Sequence, residues 1–293
     1  MISHRCGGGV GNQLFNYAAA RTLADRHGTD LILDAVEYRD HPRSSRPFVL
    51  HRFPTRARFK NLGVTTDSCW LGARAWRWLK EDALVEHVAR RPDEIAYFTN
   101  FVQLGSRVRL IGHFIDPRFF SGNDQAIARD LALSESVLGD DRRLMTILEQ
   151  IRRADAVAVH VRRGDLLAPG NEWLRLPRME VYYANAIQAV LRCRPFPELF
   201  VFSDDPDWCE TRFGAFGLPM SVVSSHGAED PLADFFLMTQ CRAFIIANSA
   251  YSWWAAWLCR ASDKIVMAPC RWETRGLLDM DRFIPEGWTK IEW

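Results

Sequence analysis

The string His160-Val161-Arg162-Arg163-Gly164-Asp165 sets two guanidinium groups beside a histidine and a carboxylate within a few residues. A guanidinium is planar, permanently charged and able to donate two parallel hydrogen bonds to phosphate oxygens, a geometry lysine does not match. The pair therefore suits a diphosphate. The plain alternative is a solvated loop ion pair among Arg162, Arg163 and Asp165. Two further polar strings point the same way. Ser203-Asp204-Asp205 offers carboxylates that can accept from a base or from ribose hydroxyls, and Asn248, Ser249 and Ser252 open a helix whose N-terminus attracts anions. A nucleoside diphosphate satisfies all three.

The glycine string Gly7-Gly8-Gly9-Val10-Gly11-Asn12-Gln13 permits a ligand to approach the backbone closely at Gly9 and Gly11. It is not a dinucleotide fingerprint, because counting from Gly9 the third glycine position holds Leu14; Asp34 is the residue an oxidoreductase reading would use. No Gly-Lys-Ser/Thr phosphate loop and no His-Glu-x-x-His helix occurs, which argues against triphosphatase and zinc protease chemistry. Asp205-Pro206-Asp207 and Asp279-Met280-Asp281 both read Asp-x-Asp, a spacing able to hold a divalent cation. Since the arginines already supply positive charge for a diphosphate, these read as turns or nucleotide contacts, and no metal or other cofactor is expected.

These residues need elements to place them. Strand Ile2 to Cys6, the glycine loop, a helix from Asn12 to His27 with Asn12 as N-cap and Gly28 as C′, and strand Leu31 to Leu33 form a β-α-β opening. Beyond residue 152 short apolar runs alternate with helical patterns: Ala156 to Val161, Leu199 to Phe202, Ser221 to Val223, Ala243 to Ala247 and Ile265 to Ala268, with helices at Met179 to Arg192 and at Pro231 to Gln240, the latter capped by Asp230. That is a parallel sheet, whose ligands bind at the carboxyl ends of its strands, where the polar strings lie. Earlier come an Asp116-Pro117 turn and helical patterns around Ile127 and Leu131 and at Arg142 to Arg153. The expected division is an N-terminal domain 1–152, with an insertion around 38–100, and a C-terminal domain 153–293. Within the insertion, Trp70 to Arg91 reads as a basic aromatic helix that either packs its tryptophans on the first lobe or touches a membrane surface. Trp253 and Trp257 stand one turn apart, as core residues do.

The totals bound the function. The chain has 293 residues, 48% hydrophobic and 25% charged, as a folded two-domain protein has, and its formal charge of +1 gives no footprint for nucleic acid. Seven cysteines without Cys-x-x-Cys or zinc spacing read as buried free thiols. With no signal peptide and no run of roughly 20 apolar residues, a cytoplasmic protein is expected.

Four strings in order carry a resemblance: Gly8-Gly9-Val10-Gly11-Asn12-Gln13-Leu14-Phe15, His160-Val161-Arg162-Arg163-Gly164-Asp165, Phe202-Ser203-Asp204-Asp205 and Ile246-Ala247-Asn248-Ser249-Ala250-Tyr251-Ser252-Trp253-Trp254. They resemble the motifs of the α-1,2-fucosyltransferases of glycosyltransferase family eleven, from residue 8 to about residue 290. The resemblance implies an α/β fold of GT-B type, two Rossmann-like domains facing a central cleft, with the acceptor on the first. It implies GDP-fucose as donor, the 2-hydroxyl of a galactose-containing oligosaccharide as acceptor, and inversion without metal. By the same likeness Arg162 contacts the donor phosphates, His160 and Ser203 to Asp205 the nucleoside, and Asn12 faces the reacting sugar. The chain departs from the family's usual pattern at Ala250-Tyr251 and at His113. Candidates for the base that takes the acceptor proton are Asp165, Glu172 and His113; Asp165 either does so or holds the arginines in place. A transferase for another GDP-deoxysugar and a non-catalytic sugar-nucleotide-binding protein are the alternatives. A lipid-linked acceptor would put the protein at the cytoplasmic face of the inner membrane, in peripheral contact.

Overall fold

Ala-Val-Ala-Val-His-Val, residues 156–161, is apolar apart from one position, with β-branched valine at every second residue, and it lies almost wholly buried as strand β6 (Ala156–Val161) at the middle of a parallel sheet. The structure is a computed structural model and describes residues 1–40, 46–62, 85–88, 99–223 and 230–293. The chain divides into two compact units, Met1–Leu131 and Ala132–Trp293.

The first unit holds β1 (Ile2–Arg5), helix α1 (Val10–Arg26), β2 (Leu31–Asp34), the short helix α2 (Val36–Asp40), β3 (Arg58–Lys60), β4 (Val85–Val88) and β5 (Val108–Ile111). Its strands pair in the order β3-β2-β1-β5-β4, all parallel. Helix α1 begins at Val10 with Gly9 at the N-cap position and no side-chain cap, so Asn12, expected as the cap, sits inside the first turn. At the other end the expected glycine stop is present. Gly28 has φ +56°, its N–H donates to Asp25 O, and Thr29 N donates to Ala24 O, a Schellman closure.

Within residues 38–100 the structure differs from a simple insertion. Both edge strands of the first sheet, β3 and β4, come from that stretch. Val85–Val88 lies inside the expected Trp70 to Arg91 helix and is instead a strand, held by parallel pairing to β5; the rest of that expected helix, Trp70 included, and Cys69 fall outside the described residues.

The second unit contributes β6, β7 (Glu198–Ser203), β8 (Met220–Val223), β9 (Ala243–Ile245), β10 (Ile265–Pro269) and β11 (Thr289–Ile291), paired as β11-β10-β9-β6-β7-β8 and parallel throughout. From β6 the chain steps outward through β7 to β8, then returns past β6 to β9, so the topological switch lies between β6 and β9. Helix Met179–Cys193 packs Tyr182, Tyr183, Ala186 and Val190 into the core, and helix Pro231–Thr239 starts with the Asp230 carboxylate accepting from Leu232 N.

The break between units follows Leu131, about twenty residues before the expected position near Arg152. Helix Arg142–Arg153 is the reason. It buries Leu144, Ile147, Leu148 and Ile151, and packs on β6 and on helix Pro231–Thr239, all within the second unit.

Trp253 is wholly buried, as expected of a core tryptophan, and so is Trp254, whereas Trp257, expected in the core with Trp253, is half-buried and stacks on it. Cys6, Cys209, Cys241 and Cys259 are buried free thiols and Cys270 is half-buried, whereas Cys193 is exposed at the end of its helix. Among the described residues no helix is long and apolar enough to cross a membrane.

Candidate functional site

The polar strings of the second unit meet at the carboxyl ends of β6, β7 and β9, on either side of the switch point. His160, next to last in β6, turns its Nδ1 toward Ser252 Oγ, 2.8 Å away in helix Ala250–Leu258. Burial, and then the charge of Arg162, hold its pKa down to about 3. The ring is neutral at pH 7 and can donate or accept one hydrogen bond. Tyr183 fixes the backbone here by donating its hydroxyl to His160 O at 2.7 Å.

Each arginine has its own carboxylate. Arg162 donates Nε–H to Asp165 Oδ1 at 2.8 Å and Nη2–H to Asp165 Oδ2 at 2.5 Å, a side-on bidentate pair. Arg163 donates Nε–H to Asp205 Oδ2 at 2.8 Å and lies over the Trp208 ring, 4.4 Å from its centre. Asp205, held below the usual carboxylate range first by that hydrogen bond from Arg163, also caps helix Pro206–Gly214 by accepting from Trp208 N. A single ion pair of both arginines with Asp165 is therefore not what forms.

Asp204 turns back to the loop. Its Oδ1 accepts from Arg163 N at 2.8 Å and its Oδ2 from Gly164 N at 2.9 Å. A β-carbon on Gly164 would stand 3.0 Å from that Oδ2, so glycine lets the carboxylate close on the loop. Ser203 Oγ accepts from Asp205 N at 2.9 Å, tightening the same turn. Asp204 thus holds the backbone that carries the arginines, where a contact to the nucleoside was expected.

Asn248 likewise turns its amide nitrogen into the protein. Its amide donates to Leu174 O at 2.5 Å and to Trp272 O at 2.9 Å, and the residue is buried. Both donor hydrogens serve to tie two loops together. Ser249 stands at the N-cap position of Ala250–Leu258 without using its side chain as a cap, and Ser252 serves His160. The first amides of that helix carry the partial positive charge that favours an anion.

Gly9, Gly11 and Asn12 belong to the first unit, at the start of α1. There the Gln13 amide donates to Gly8 O at 3.1 Å and to Pro47 O at 2.9 Å, the Tyr38 hydroxyl donates to Gly8 O at 2.6 Å, and Gly8 adopts φ +80°. Glu37 and Arg46 crowd Gly7 and Gly9 so closely that a β-carbon at either position would collide with them. Asp34, the residue a ribose-binding carboxylate would need, accepts from Val36 N and from Asn61 Nδ2 at its Oδ1.

The structure adds Trp208, Tyr183 and Glu37 to the residues the sequence singled out. Trp208 had a signal, an aromatic one turn into the helix that follows Asp205. The Asp279-Met280-Asp281 string is a helix cap, Asp279 accepting from Asp281 N. Among the described residues no group of three or more His, Cys, Asp or Glu is placed to hold a metal ion.

The family model for glycosyl transferase family 11 matches residues 113–292. An alpha-1,2-colitosyltransferase of Escherichia coli is 26% identical over 100% of this chain and 99% of its own length. Galactoside alpha-(1,2)-fucosyltransferase 1 of Ateles belzebuth is 24% identical over 89% of this chain and 66% of its own length. The fold of fucosyltransferase NodZ from Bradyrhizobium superposes with a TM-score of 0.55 at 14% identity, covering 87% of this chain and 91% of that one. Two Rossmann-like units of GT-B type are thus the fold of this chain.

Proposed function

Because the chain belongs to glycosyltransferase family 11, whose model spans residues 113–292, we propose that it transfers L-fucose from GDP-fucose to the 2-hydroxyl of a galactoside. The observation that carries the reading is the side-on pair of Arg162 with Asp165 at the switch point of the second sheet. A guanidinium held by its Nε and Nη2 edge keeps its Nη1 edge for a second planar acceptor. A diphosphate oxygen pair fits that edge.

As the sugar leaves, negative charge grows on the diphosphate and positive charge on the anomeric carbon. Donors fixed on the phosphate oxygens therefore stabilise the transition state more than the ground state. Arg162 supplies one such donor in this reading, and the amides opening helix Ala250–Leu258 supply others. Neutral His160 and the turn at Ser203 face the nucleoside, and transfer proceeds without a divalent ion because the guanidinium provides the charge. Attack from the face opposite the leaving diphosphate inverts the anomeric centre.

A second donor has a specific observation behind it. The Escherichia coli relative that aligns over the whole chain is named for colitose, a sugar that is fucose without its 3-hydroxyl. The free thiols support a reducing compartment, and with it an oligosaccharide acceptor presented at the cytoplasmic face of a membrane.

Radiolabelled GDP-fucose and GDP-colitose, each incubated with lactose or another β-galactoside, with and without chelator, test the proposal together. Label on the galactose 2-oxygen from GDP-fucose despite chelator is the expected product. Preference for GDP-colitose moves the assignment to the second donor. Donor binding without any transfer refutes both.

A further inference from the structure

The attacking hydroxyl must lose a proton, and among the described residues the carboxylates that follow β6 and β7 are committed elsewhere. Asp165 holds Arg162, Asp204 holds the loop amides, and Asp205 holds Arg163 and a helix start. Glu172, also considered, is exposed on a short turn, where it accepts from Gly170 N at 3.2 Å.

Open parallel sheets take ligands at their carboxyl edge. This chain has two such sheets, and the proposed reaction has two substrates. In the first sheet β1, β2 and β5 end in register at Arg5, Asp34 and Ile111. Just past those ends lie Gly7, Glu37 and His113. Glu37 is anchored at one oxygen, with Arg5 Nε 3.1 Å from its Oε1. Its Oε2 lies directly over Gly7, in space that any β-carbon there would fill. The side chain is 41% exposed, so the carboxylate is open to solvent while one oxygen faces Arg5.

His113 stands on the same edge with its Nδ1 buried and without a hydrogen-bond partner. Burial lowers its pKa, opposed by the charge of Glu37. It is therefore neutral at pH 7, with a polar ring atom for which the protein supplies no partner.

We propose that Glu37, seated on Gly7 beside His113, binds the acceptor sugar's hydroxyl and receives its proton during transfer. The inference rests on the fucosyl-transfer reading. In the step, the acceptor O–H bond breaks and its proton forms a bond to Glu37 Oε2. The freed oxygen pair bonds to the anomeric carbon, and the bond from that carbon to the phosphate oxygen breaks with its electrons left on the diphosphate. Glu37 then returns the proton to solvent. His113 orients the sugar and Gly7 makes room for the carboxylate.

The test compares Glu37→Gln and Glu37→Asp with the wild-type enzyme, measuring transfer to a β-galactoside alongside the GDP-fucose Kd. Glu37→Gln keeps the shape and one acceptor oxygen; it should lose about 100-fold or more in kcat with the donor Kd unchanged. Glu37→Asp keeps a carboxylate and should recover at least several-fold over Glu37→Gln. His113→Phe should raise the acceptor KM while leaving the donor Kd alone. Glu37→Gln within threefold of wild type, or Glu37→Asp no better than Glu37→Gln, overturns the assignment. Wild-type transfer and donor binding report on the donor reading, so its failure is distinct from that of Glu37.

Discussion

Arg162 and Asp165 stand three residues apart and share two hydrogen bonds along one side of the guanidinium, from Nε at 2.8 Å and from Nη2 at 2.5 Å. The guanidinium plane is fixed by this pair, and Nη1 lies outside it. Asp165 is thereby a positioning residue for Arg162, and the alternative in which it collects the acceptor proton recedes.

Asp165→Asn should reveal that role. Losing the charge loosens the plane of Arg162, and misplacement of a catalytic group by about an ångström costs roughly 100-fold. We expect kcat to fall by about 10- to 100-fold with GDP bound more weakly, and the pH–rate profile to keep its acid limb. Steady-state kinetics over pH with calorimetric GDP binding read both. Loss of the acid limb with GDP affinity intact would make Asp165 the base instead.

Asn248→Ala should behave as a structural lesion. The amide satisfies Leu174 O and Trp272 O inside the protein, and leaving buried partners unpaired costs about 1–3 kcal/mol each. Chemical denaturation should therefore show a loss of at least about 2 kcal/mol, with the GDP Kd of the folded protein changed by less than threefold. A variant of wild-type stability that no longer binds GDP would restore Asn248 to the ligand set.

Gly164→Ala should damage the site and spare the fold. The new methyl would press on Asp204 Oδ2 at 3.0 Å and push the carboxylate off the loop amides. Those amides are exposed enough for water to replace the lost bonds, so we expect a Tm within a few degrees of wild type and kcat/KM down by about tenfold or more. Unchanged kcat/KM would show that Asp204 does not set the loop.

Acid should destabilise the first unit through His4. The residue is fully buried, and burial foremost, with His113 adding to it, lowers its pKa from 6.5 to about 3. Below pH 6.5 the unfolded chain binds a proton the folded one refuses, so stability rises with pH between about 3 and 6.5 and is lost as pH falls through that window. One such group contributes a slope of up to about 1.4 kcal/mol per pH unit. Denaturant melts of wild type and His4→Phe from pH 7 to pH 4 should differ in slope by nearly one proton; parallel curves would show that His4 is protonated in the folded protein.

The sequence carried the strand-end logic well. Strands β6 to β10 lie where their apolar runs placed them, while β11 (Thr289–Ile291) has no such run and was missed, and the polar residues that follow β6, β7 and β9 come together, as His160 with Ser252 and Arg163 with Asp205. Partnership was not legible. Spacing alone does not tell which arginine takes Asp165; in the fold Arg163 pairs with Asp205 and lies over the Trp208 ring instead. Nor does a string show that the carbonyls satisfied by Asn248 come from loops around residues 174 and 272. The edge strands β3 and β4 were missed because Arg-Phe-Lys and Val-Glu-His-Val have no continuous apolar run, and are strands by virtue of their neighbours. Glu37 carries no motif at all, and only the fold sets it over Gly7.

In the proposed reaction Arg162 holds the diphosphate of a GDP-sugar. Calorimetric titration of GDP into the wild-type protein and into Arg162→Ala and Arg162→Lys tests it without relying on acceptor or turnover. Hydrogen bonds to a charged group contribute about 1.5–3 kcal/mol, so both variants should bind GDP roughly 10- to 100-fold more weakly, lysine failing to restore the fork. GDP binding by folded Arg162→Ala as tight as that of the wild type would contradict the account.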